Sequence, residues 1–398
     1  MLDVLTSNRS TILASGVLEM PSVAAGTTAE VDLPYTVSRI KSSREVQLTV
    51  VFVTRYSTAW ANAGHEVAWV QHQISSVDPV IGSSLTRSAS TLDAETSGTK
   101  ISIKGHDFLF SVDKARGFIT EWKAGGVSLL TADPVTRAAI IPSFWRPPTD
   151  NDNPISLPYW KRFGVDTMTS QMRSFKLKQT VDGVEIATEL FLTPPVLAWS
   201  YIATITYTIT ATGTLSITVK LKPTGSMPKH VPRVGLDLRL PRHEENDTIV
   251  KWHGLGPGES YPDKRSAQRV GVWSVDTVDD LQTPYEVPQE NGNRMGTRWV
   301  KIADSQSNRG LRAIAGDQNE WSKNCGRQFS FVATRHSAKM IEKAKHPCDL
   351  VEEDATLLRL DAKVAGLGTA ACGPGVREDH LVKVEEMSFS FVLEAVGS

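Results

Sequence analysis

Cysteine is scarce in this sequence: there are three in 398 residues, Cys325, Cys348 and Cys372. None belongs to a Cys-x-x-Cys pair, and three are too few for the dense disulfide framework of a small secreted domain. The pattern therefore gives no support for a zinc-ribbon type of metal site and is typical of a protein kept in a reducing compartment.

The chain also lacks an excess of charge and long hydrophobic runs. Its 43 Lys and Arg against 44 Asp and Glu give a formal net charge of −1, which offers no general attraction for nucleic acid or an anionic membrane. Its N-terminal segment has no basic stretch followed by an apolar run, and no stretch of about 18 apolar residues follows. We therefore expect a soluble, cytoplasmic protein that binds neither nucleic acid nor membrane.

What the sequence does contain is alternation at period two. β-branched and aromatic residues recur at every second position in several segments, as expected for strands with one buried face. Helical spacing of apolar residues is rare, although Ser337–Lys345 could form a short helix. The predicted class is all-β. The clearest predicted strands are Glu45–Val53, Ser200–Thr210, Thr214–Leu221 and Glu386–Leu393.

A change in composition divides the chain. The stretch Ser75–Gly98 is rich in Ser, Thr, Gly and Asp and has no sustained pattern, which is typical of a linker. We predict a first unit at residues 1–78, a linker at 79–100 and a large β domain at 101–398. The first unit is short for an immunoglobulin-like sandwich of about 100 residues, whereas the second is long enough for two large antiparallel sheets.

Polar side chains concentrate in four segments with the composition of loops. Long loops that carry charged and aromatic residues on a rigid β scaffold are where binding sites are usually built. The alternative interpretation is local: Asp and Asn beside Pro often cap turns, and an Arg can simply tie loops together. The segments are FWRPPTDNDN (Phe144–Asn153), WHGLGPGESYPDK (Trp252–Lys264), PYEVPQENGNRMGTRW (Pro284–Trp299) and GLGTAACGPGV (Gly366–Val376).

The glycine-rich second segment does not match a phosphate-binding loop, because no Gly-Lys-Ser or Gly-Lys-Thr follows its glycines. Its glycines and prolines instead predict an irregular loop rather than the interior of a strand. A metal site is poorly supported, since Asp150 with Asp152 supplies too few ligands and no His-Glu-x-x-His occurs. We expect no metal and no cofactor. Acid–base chemistry remains open, with Asp150, Asp152, Glu259 and Glu290 as the available carboxylates.

Taken in order, these segments resemble the C-terminal part of the large family 2 β-galactosidases. The resemblance starts at STAWANAGHEVAWVQ (Ser57–Gln71) and continues through RPPTDNDN, GLGPGESYPDK, YEVPQENGNRMGTRW and GLGTAACGPGV, so it covers nearly the whole chain. It implies a truncated immunoglobulin-like sandwich followed by the small-chain domain. That domain is a large antiparallel β-supersandwich similar to galactose mutarotases, whose concave sheet face is able to hold a sugar-sized ligand.

The same resemblance implies that the chain is not a glycosidase by itself. In that family the catalytic carboxylates and the magnesium ligands lie on a (β/α)₈ barrel that precedes the matched region, and this sequence has no barrel-length alternation of strands and helices. In the complete enzymes the terminal domain lends one loop to the barrel's active site, often with an aromatic residue for the sugar. The matching loop here is GTAACGPGV, with Cys372 at the aromatic position.

Two further departures from the family pattern affect the expected cleft. The sequence Trp-Arg-Pro-Pro at 145–148 stands where the family more often has Arg-Ala-Pro, and Trp252 with His253 precedes Gly-Leu-Gly-Pro. The bulk of Trp145 and Trp252 is either packing or a reshaping of the cleft for a ligand other than a sugar. An ordinary histidine pKa of about 6.5 permits His253 a role in proton transfer.

Three hypotheses compete, beside a fourth possibility of an inactive gene remnant that still folds. The preferred one is a stand-alone derivative of the galactosidase terminal domains whose cleft binds a small organic molecule. In this hypothesis the cleft could also catalyse a metal-free isomerisation or cyclisation in fungal-type specialised metabolism. The second is an accessory small subunit that pairs with a barrel-bearing chain, with a homodimer as a further option, through the N-terminal unit. The third is a mutarotase-like or lectin-like sugar binder.

The candidate site residues all come from the four polar segments. The predicted catalytic residues are Asp150, His253, Glu290 and Arg298. The predicted ligand-binding residues are Trp145, Arg146, Asp152, Trp252, Glu259, Asn291, Trp299 and Cys372.

Overall fold

A computed structural model of the protein describes residues 2–5, 10–32, 45–75, 92–196, 198–242, 248–316 and 328–397. Cys325 and residues 79–91 of the predicted linker lie outside these ranges. The chain forms two compact units, one comprising Met1–Val80 with Val270–Val272 and the other Ile81–Arg269 with Trp273–Ser398. Within the described ranges, no helix is long and apolar enough to cross a membrane.

The first unit contains one sheet of four strands: β1 (Leu2–Leu5), β2 (Ser10–Ala14), β3 (Glu45–Val53) and β4 (Glu66–Ser75). Their order is β2-β1-β3-β4, and β3 confirms the strand predicted at 45–53. Val46 is fully buried with Leu48 and Ile74 packed against it, but Phe52 is 42% and Val70 is 55% exposed. The apolar surface of this sheet is therefore only partly covered.

The second unit starts with a five-stranded antiparallel meander: β5 (Asp93–Ser97), β6 (Lys100–Lys104), β7 (Phe108–Asp113), β8 (Phe118–Ala124) and β9 (Val127–Thr131). β5 lies within residues 79–100, the predicted linker. Its side chains are mostly exposed, so the sequence has no apolar alternation there, yet Ser97 pairs with Lys100 across a tight turn. Gly98 permits the turn because its φ is +59°.

A nine-stranded sheet follows: β11 (Thr169–Thr180), β12 (Gly183–Thr193), β13 (Trp199–Thr210), β14 (Leu215–Gly225), β17 (Thr248–Gly256), β18 (Arg269–Val275), β20 (Trp299–Asp304), β21 (Gly310–Ala315) and β25 (Met387–Val396). The order is β11-β12-β13-β14-β25-β21-β20-β17-β18. Three predicted strands, now β13, β14 and β25, are confirmed. They are adjacent in the sheet: Ile217 of β14 pairs with Tyr207 of β13 on one side and with Phe391 of β25 on the other.

The other large sheet contains β10 (Ile140–Ser143), β16 (Arg233–Pro241), β19 (Arg294–Thr297), β22 (Phe329–Thr334) and β23 (Ala355–Val364). Its order is β10-β16-β23-β22-β19, and a small ladder joins β15 (His230–Val231) to β24 (Val382–Lys383). Apolar side chains of both large sheets, such as Tyr207, Phe391, Phe331 and Leu358, form one buried core. The all-β prediction is confirmed.

Two α-helices lie in the described part of the second unit, α1 (Ser156–Arg162) and α2 (Ala338–Lys343). α2 confirms the short helix predicted at 337–345. It begins after Ser337 because the hydroxyl of that residue accepts the N–H of Met340 at 3.3 Å, which is the usual N-cap interaction.

One segment predicted to be an irregular loop is partly a strand, because Trp252–Gly256 continues β17. The glycines serve close packing here: a Cβ on Gly254 would lie 2.9 Å from the Cα of Thr297. Successive strand residues point to opposite faces of a sheet. Trp252 belongs to the buried core, so His253 points to the other face.

Candidate functional site

All four polar segments come together in the second unit. We call residues 144–153, 257–264, 284–293 and 366–376 the loop cluster. Its first and third members are joined where the backbone N–H of Asp150 donates to Gln289 Oε1 and Gln289 Nε2 donates to the Asp150 carboxylate, both at 3.2 Å. Asp150 is exposed, so this predicted catalytic residue lies at the surface of the cluster.

The fourth member is bound by side chains of the first and second. Asn151 Nδ2 donates to the carbonyl of Gly368 at 2.9 Å, and Asn151 Oδ1 accepts the N–H of Ala371 at 3.1 Å. The Asp263 carboxylate accepts the N–H groups of Leu367 at 2.9 Å and Gly368 at 2.8 Å. Neither Asn151 nor Asp263 was among the predicted site residues.

Glu259 joins the second member to the third. Its carboxylate accepts the N–H of Gly292 at 2.8 Å and the hydroxyl of Tyr285 at 2.9 Å, and it pairs with the ammonium group of Lys264. Burial opposes ionisation of Glu259, but these hydrogen bonds outweigh burial and lower its pKa. Glu259 therefore stays charged and serves as a connector between loops.

Arg146 and Asp152 form an ion pair that is closed to solvent. Their side chains are 0% and 1% exposed, with Arg146 Nη1 2.7 Å from Asp152 Oδ2. The same carboxylate oxygen accepts the N–H of Thr149 at 2.7 Å and its hydroxyl at 2.9 Å, and the guanidinium lies over the ring of Trp160. Burial would lower the pKa of Arg146, but Asp152 and Glu290 outweigh it and raise the pKa. The pair fixes the shape of the first loop.

Glu290 is likewise an interior residue. Its carboxylate accepts Arg359 Nη1 at 2.8 Å and the hydroxyl of Tyr261 at 3.4 Å, and all three side chains are buried. Burial, assisted by the negative charges of Glu290 and Glu259, raises the pKa of Tyr261 well above its ordinary value. The tyrosine is therefore a neutral donor to Glu290.

A further set of charged residues, missed by the sequence analysis, lies on β16 and β23. Arg233 Nη1 donates to Asp237 Oδ1 at 2.6 Å, and Arg233 Nε donates to the Asp361 carboxylate. Burial raises the pKa of Asp361 to about 6, although Arg233 and Arg359 favour its charged form. Asp361 is 2% exposed, whereas 43% of the Asp237 side chain is accessible.

We call these groups the charge chain: three arginines and four carboxylates that lie on β16 and β23 and in the first and third members of the loop cluster. The available sequence signal was charge confined to one face of two apolar strands, RVGLDLRLP and ATLLRLDAKV. Its members are Asp237, Arg233, Asp361, Arg359, Glu290, Arg146 and Asp152.

The predicted aromatic residues pack against protein groups. Trp145 is buried, and its Nε1 donates to Glu342 Oε2 at 3.3 Å. Trp252 is fully buried, donates from Nε1 to the carbonyl of Leu255 at 3.0 Å, and lies under the guanidinium of Arg294. Both tryptophans therefore have structural contacts that account for their burial.

His253 and Trp299 form a separate pair. They face each other across β17 and β20, with ring centroids 6.5 Å apart. Both are buried, as is Arg298, whose backbone N–H donates to the carbonyl of His253 at 2.7 Å. Because His253 and Trp252 point to opposite faces of the sheet, they do not line one common cleft.

The two remaining candidates differ in accessibility. Asn291 is half-buried and braces its own loop, accepting the N–H of Thr283 at 3.0 Å and donating to the carbonyl of Gln289 at 2.9 Å. Cys372 is a free, exposed thiol in the fourth loop. In the described part of the chain, no group of three or more His, Cys, Asp or Glu side chains is arranged to hold a metal ion.

The fold and the loop cluster define the class of the protein: it is an all-β protein with two units, in which hydrogen bonds join four polar loops of the second unit. Models of known protein families match most of the chain. Residues 104–393, more than half of the chain, match the β-galactosidase small chain, and residues 4–75 match domain 4 of β-galactosidase. The chain belongs to the β-galactosidase small-chain family.

The curated relatives are β-galactosidases of greater length. That of Kluyveromyces lactis is 29% identical over 348 residues, which cover 86% of this chain and 32% of the relative. That of Photobacterium profundum is 28% identical over 358 residues, covering 85% of this chain and 31% of the relative. The chain thus spans about a third of the length of these relatives, consistent with the sequence resemblance to their C-terminal part.

Solved structures with a similar fold include galactose mutarotase-like proteins. One is a galactose 1-epimerase from Lactobacillus acidophilus, with a TM-score of 0.41, 8% identity, and coverage of 77% of this chain and 99% of that chain. Another is a galactose mutarotase-like protein from Clostridium acetobutylicum, with a TM-score of 0.41, 10% identity, and coverage of 76% and 97%.

Proposed function

We propose that this chain is the non-hydrolytic terminal region of a β-galactosidase and acts together with a barrel-bearing polypeptide. Family membership supports this, since the relatives that share its sequence are β-galactosidases about three times as long. The hydrolytic carboxylates and the magnesium site would belong to the partner, and this chain would contribute binding contacts.

The observation that carries the proposal is the accessibility of the loop cluster. Arg146, Asp152 and Glu290 are buried and paired, so they are poor candidates for direct contact with a sugar. The fourth loop, in contrast, exposes residues 371–374 at its tip. A loop held by its neighbours but exposed at its tip is suited to reach into the site of another polypeptide.

The first unit gives a second reason to expect a partner. A β domain is normally built from two packed layers, and the described residues between 2 and 75 form a single sheet. Phe52 and Val70 remain about half exposed on it, and Val67 is 56% exposed. Exposed apolar area of this kind is stabilised when another surface covers it.

Complementation tests the proposal. The Kluyveromyces lactis β-galactosidase, truncated to remove the matched third, is co-expressed with this chain, and hydrolysis of o-nitrophenyl β-galactoside is measured. We expect co-purification and a gain of activity over the truncated enzyme, with no hydrolysis by this chain alone. A chain in which residues 366–376 are replaced by a Gly-Ser linker of equal length is expected to co-purify without restoring activity. Hydrolysis by this chain alone, or no gain on mixing, would contradict the proposal.

A second candidate function is a stand-alone cleft that binds a small organic molecule or sugar and catalyses a metal-free isomerisation or cyclisation. The charge chain favours it, because Asp237 is accessible and is joined through Arg233 to the buried Asp361. Incubation of the purified chain with galactose, glucose and fungal terpenoid or polyketide intermediates, followed by polarimetry and mass spectrometry, tests it. Turnover that is lost in Asp237→Asn would support this function over the first.

Other expectations from the sequence stay predictions. These are the cytoplasmic location, pairing of two copies through the N-terminal unit, and function without a metal or cofactor. The chemical roles assigned to the twelve candidate residues also stay predictions.

A further inference from the structure

We infer that Asn151 and Asp263 are positioning residues that hold the fourth loop, Gly366–Val376, in the shape in which it contacts the β-galactosidase partner. The inference rests on the proposed function for the role of the loop. Its structural part rests on the contacts of the loop itself. The tip of the loop is exposed, and its base is bound by side chains from two segments that are distant in the sequence.

The tip of the loop is closed by its own hydrogen bonds. The N–H and the hydroxyl of Thr369 both donate to the carbonyl of Pro374 at 3.0 Å, and the N–H of Cys372 donates to the carbonyl of Thr369 at 3.0 Å. These bonds define the local turn. They do not determine where the turn lies relative to the sheet, because both partners of each bond belong to the loop.

Asp263 fixes the base of the loop. One carboxylate accepts two consecutive backbone N–H groups, those of Leu367 and Gly368, and so determines both position and direction of the chain. The fit is close, since a Cβ on Gly366 would lie 2.5 Å from Asp263 Oδ2. Gly368 has a φ of +63°, and a Cβ there would lie 2.8 Å from the backbone N of Val376. Both glycines therefore permit this path.

Asn151 holds the next part of the loop, with its amide donating to one backbone group and accepting from another. Its own position is fixed on both sides. Asp150 is tied to Gln289, and Asp152 is tied to the fully buried Arg146. The side chain of Asn151 therefore projects from a rigid base, which is the condition for one residue to place another accurately.

The physical consequence is pre-organisation. A loop already held in its bound shape loses little conformational entropy when it docks, whereas a freely moving loop must be ordered at the expense of affinity. Removal of the Asn151 or Asp263 side chain is therefore expected to weaken substrate binding by the assembled enzyme more than it slows the chemical step, which occurs on groups of the partner.

The experiment uses the complementation assay described above with the full chain. Asn151→Ala and Asp263→Ala are compared with Asn153→Ala, an exposed residue of the same type in the same loop as Asn151. We expect KM for the galactoside to rise about tenfold in the first two variants, with kcat within about twofold, and no change in the control. If an alanine variant folds poorly, Asn151→Asp or Asp263→Asn replaces it, because these substitutions keep the shape of the side chain.

Hydrogen exchange of the chain alone gives a readout that does not depend on activity. The peptide that contains residues 366–376 is expected to lose protection in both alanine variants, while a peptide from β23 stays protected. Unchanged protection, or lost protection with an unchanged KM, would overturn the inference. If the unmodified chain restores no activity, the proposed function fails instead, and the exchange measurement still decides whether the two side chains hold the loop.

Discussion

The buried Arg146–Asp152 pair allows a sharp test of how the first loop is held. We consider Asp152→Ala, which removes a carboxylate that accepts hydrogen bonds from the guanidinium of Arg146 and from Thr149. The substitution leaves a guanidinium with 0% exposure and without its direct counter-ion. The matched control is Asp150→Ala, an aspartate two positions away whose side chain is exposed.

The expected loss follows from burial. Breaking a buried ion pair by removing one partner typically reduces the free energy of unfolding by about 3–5 kcal/mol, because the remaining charge is left desolvated. Glu290 still favours the charged form of Arg146, which places the expectation near the lower end, at about 3 kcal/mol. With about 2 °C per kcal/mol for a unit of this size, the melting temperature of the second unit falls by roughly 6 °C. The Asp150→Ala control is expected to change stability by about 0.5 kcal/mol or less.

Equilibrium urea unfolding and thermal melting, both followed by circular dichroism, measure these effects. Arg146→Ala and the Arg146→Ala/Asp152→Ala double variant complete a double-mutant cycle, in which we expect a coupling of at least about 2 kcal/mol. A loss below about 1 kcal/mol in Asp152→Ala, or additive losses in the double variant, would refute the conclusion that the pair is buried and structural.

Two further predictions concern stability. Gly235→Ala is expected to lower the free energy of unfolding by about 3 kcal/mol, because the added Cβ would lie 2.2 Å from the carbonyl oxygen of Leu360. The control Gly16→Ala, whose Cβ would have nothing within 4 Å, is expected to leave the free energy of unfolding unchanged. Urea unfolding compares the two variants, and equal losses would contradict the steric argument. The lowered pKa of Glu259 contributes stability that is present above its unfolded pKa of about 4.3 and is lost as the pH falls through its folded value. Melting temperatures between pH 3 and 7 are therefore expected to fall less steeply on the acid side in Glu259→Gln, and parallel profiles would argue against that contribution.

The strands were predictable to the extent that each has one buried face. β3, β13, β14 and β25 alternate apolar and polar residues, and their limits in the structure lie within a few residues of the predicted ones. β5 was missed because its side chains are mostly exposed, so that its pairing with β6 left no apolar period in the sequence. Alternation reports burial rather than pairing, and a strand without a buried face is invisible to it.

The sequence identified the segments of the site better than the contacts of its residues. Hydrogen bonds join all four polar segments in the loop cluster. Composition did not distinguish the buried Arg146 and Asp152 from the exposed Asp150, since all three stand in one decapeptide. Arg233 and Asp361 were missed because they lie within β16 and β23, whereas all of the predicted site residues come from segments with the composition of loops.

By itself, the sequence determined the all-β class, the order of the polar segments and the likeness to β-galactosidase, because periodicity and local motifs are properties of neighbouring residues. Only the tertiary structure decided which polar groups face each other. Asn151 and Asp263 reach a loop more than a hundred residues away, and the partners of Glu290 and Asp361 come from separate strands and loops. Such pairs depend on strand order and register, which bring together side chains that the linear sequence keeps apart.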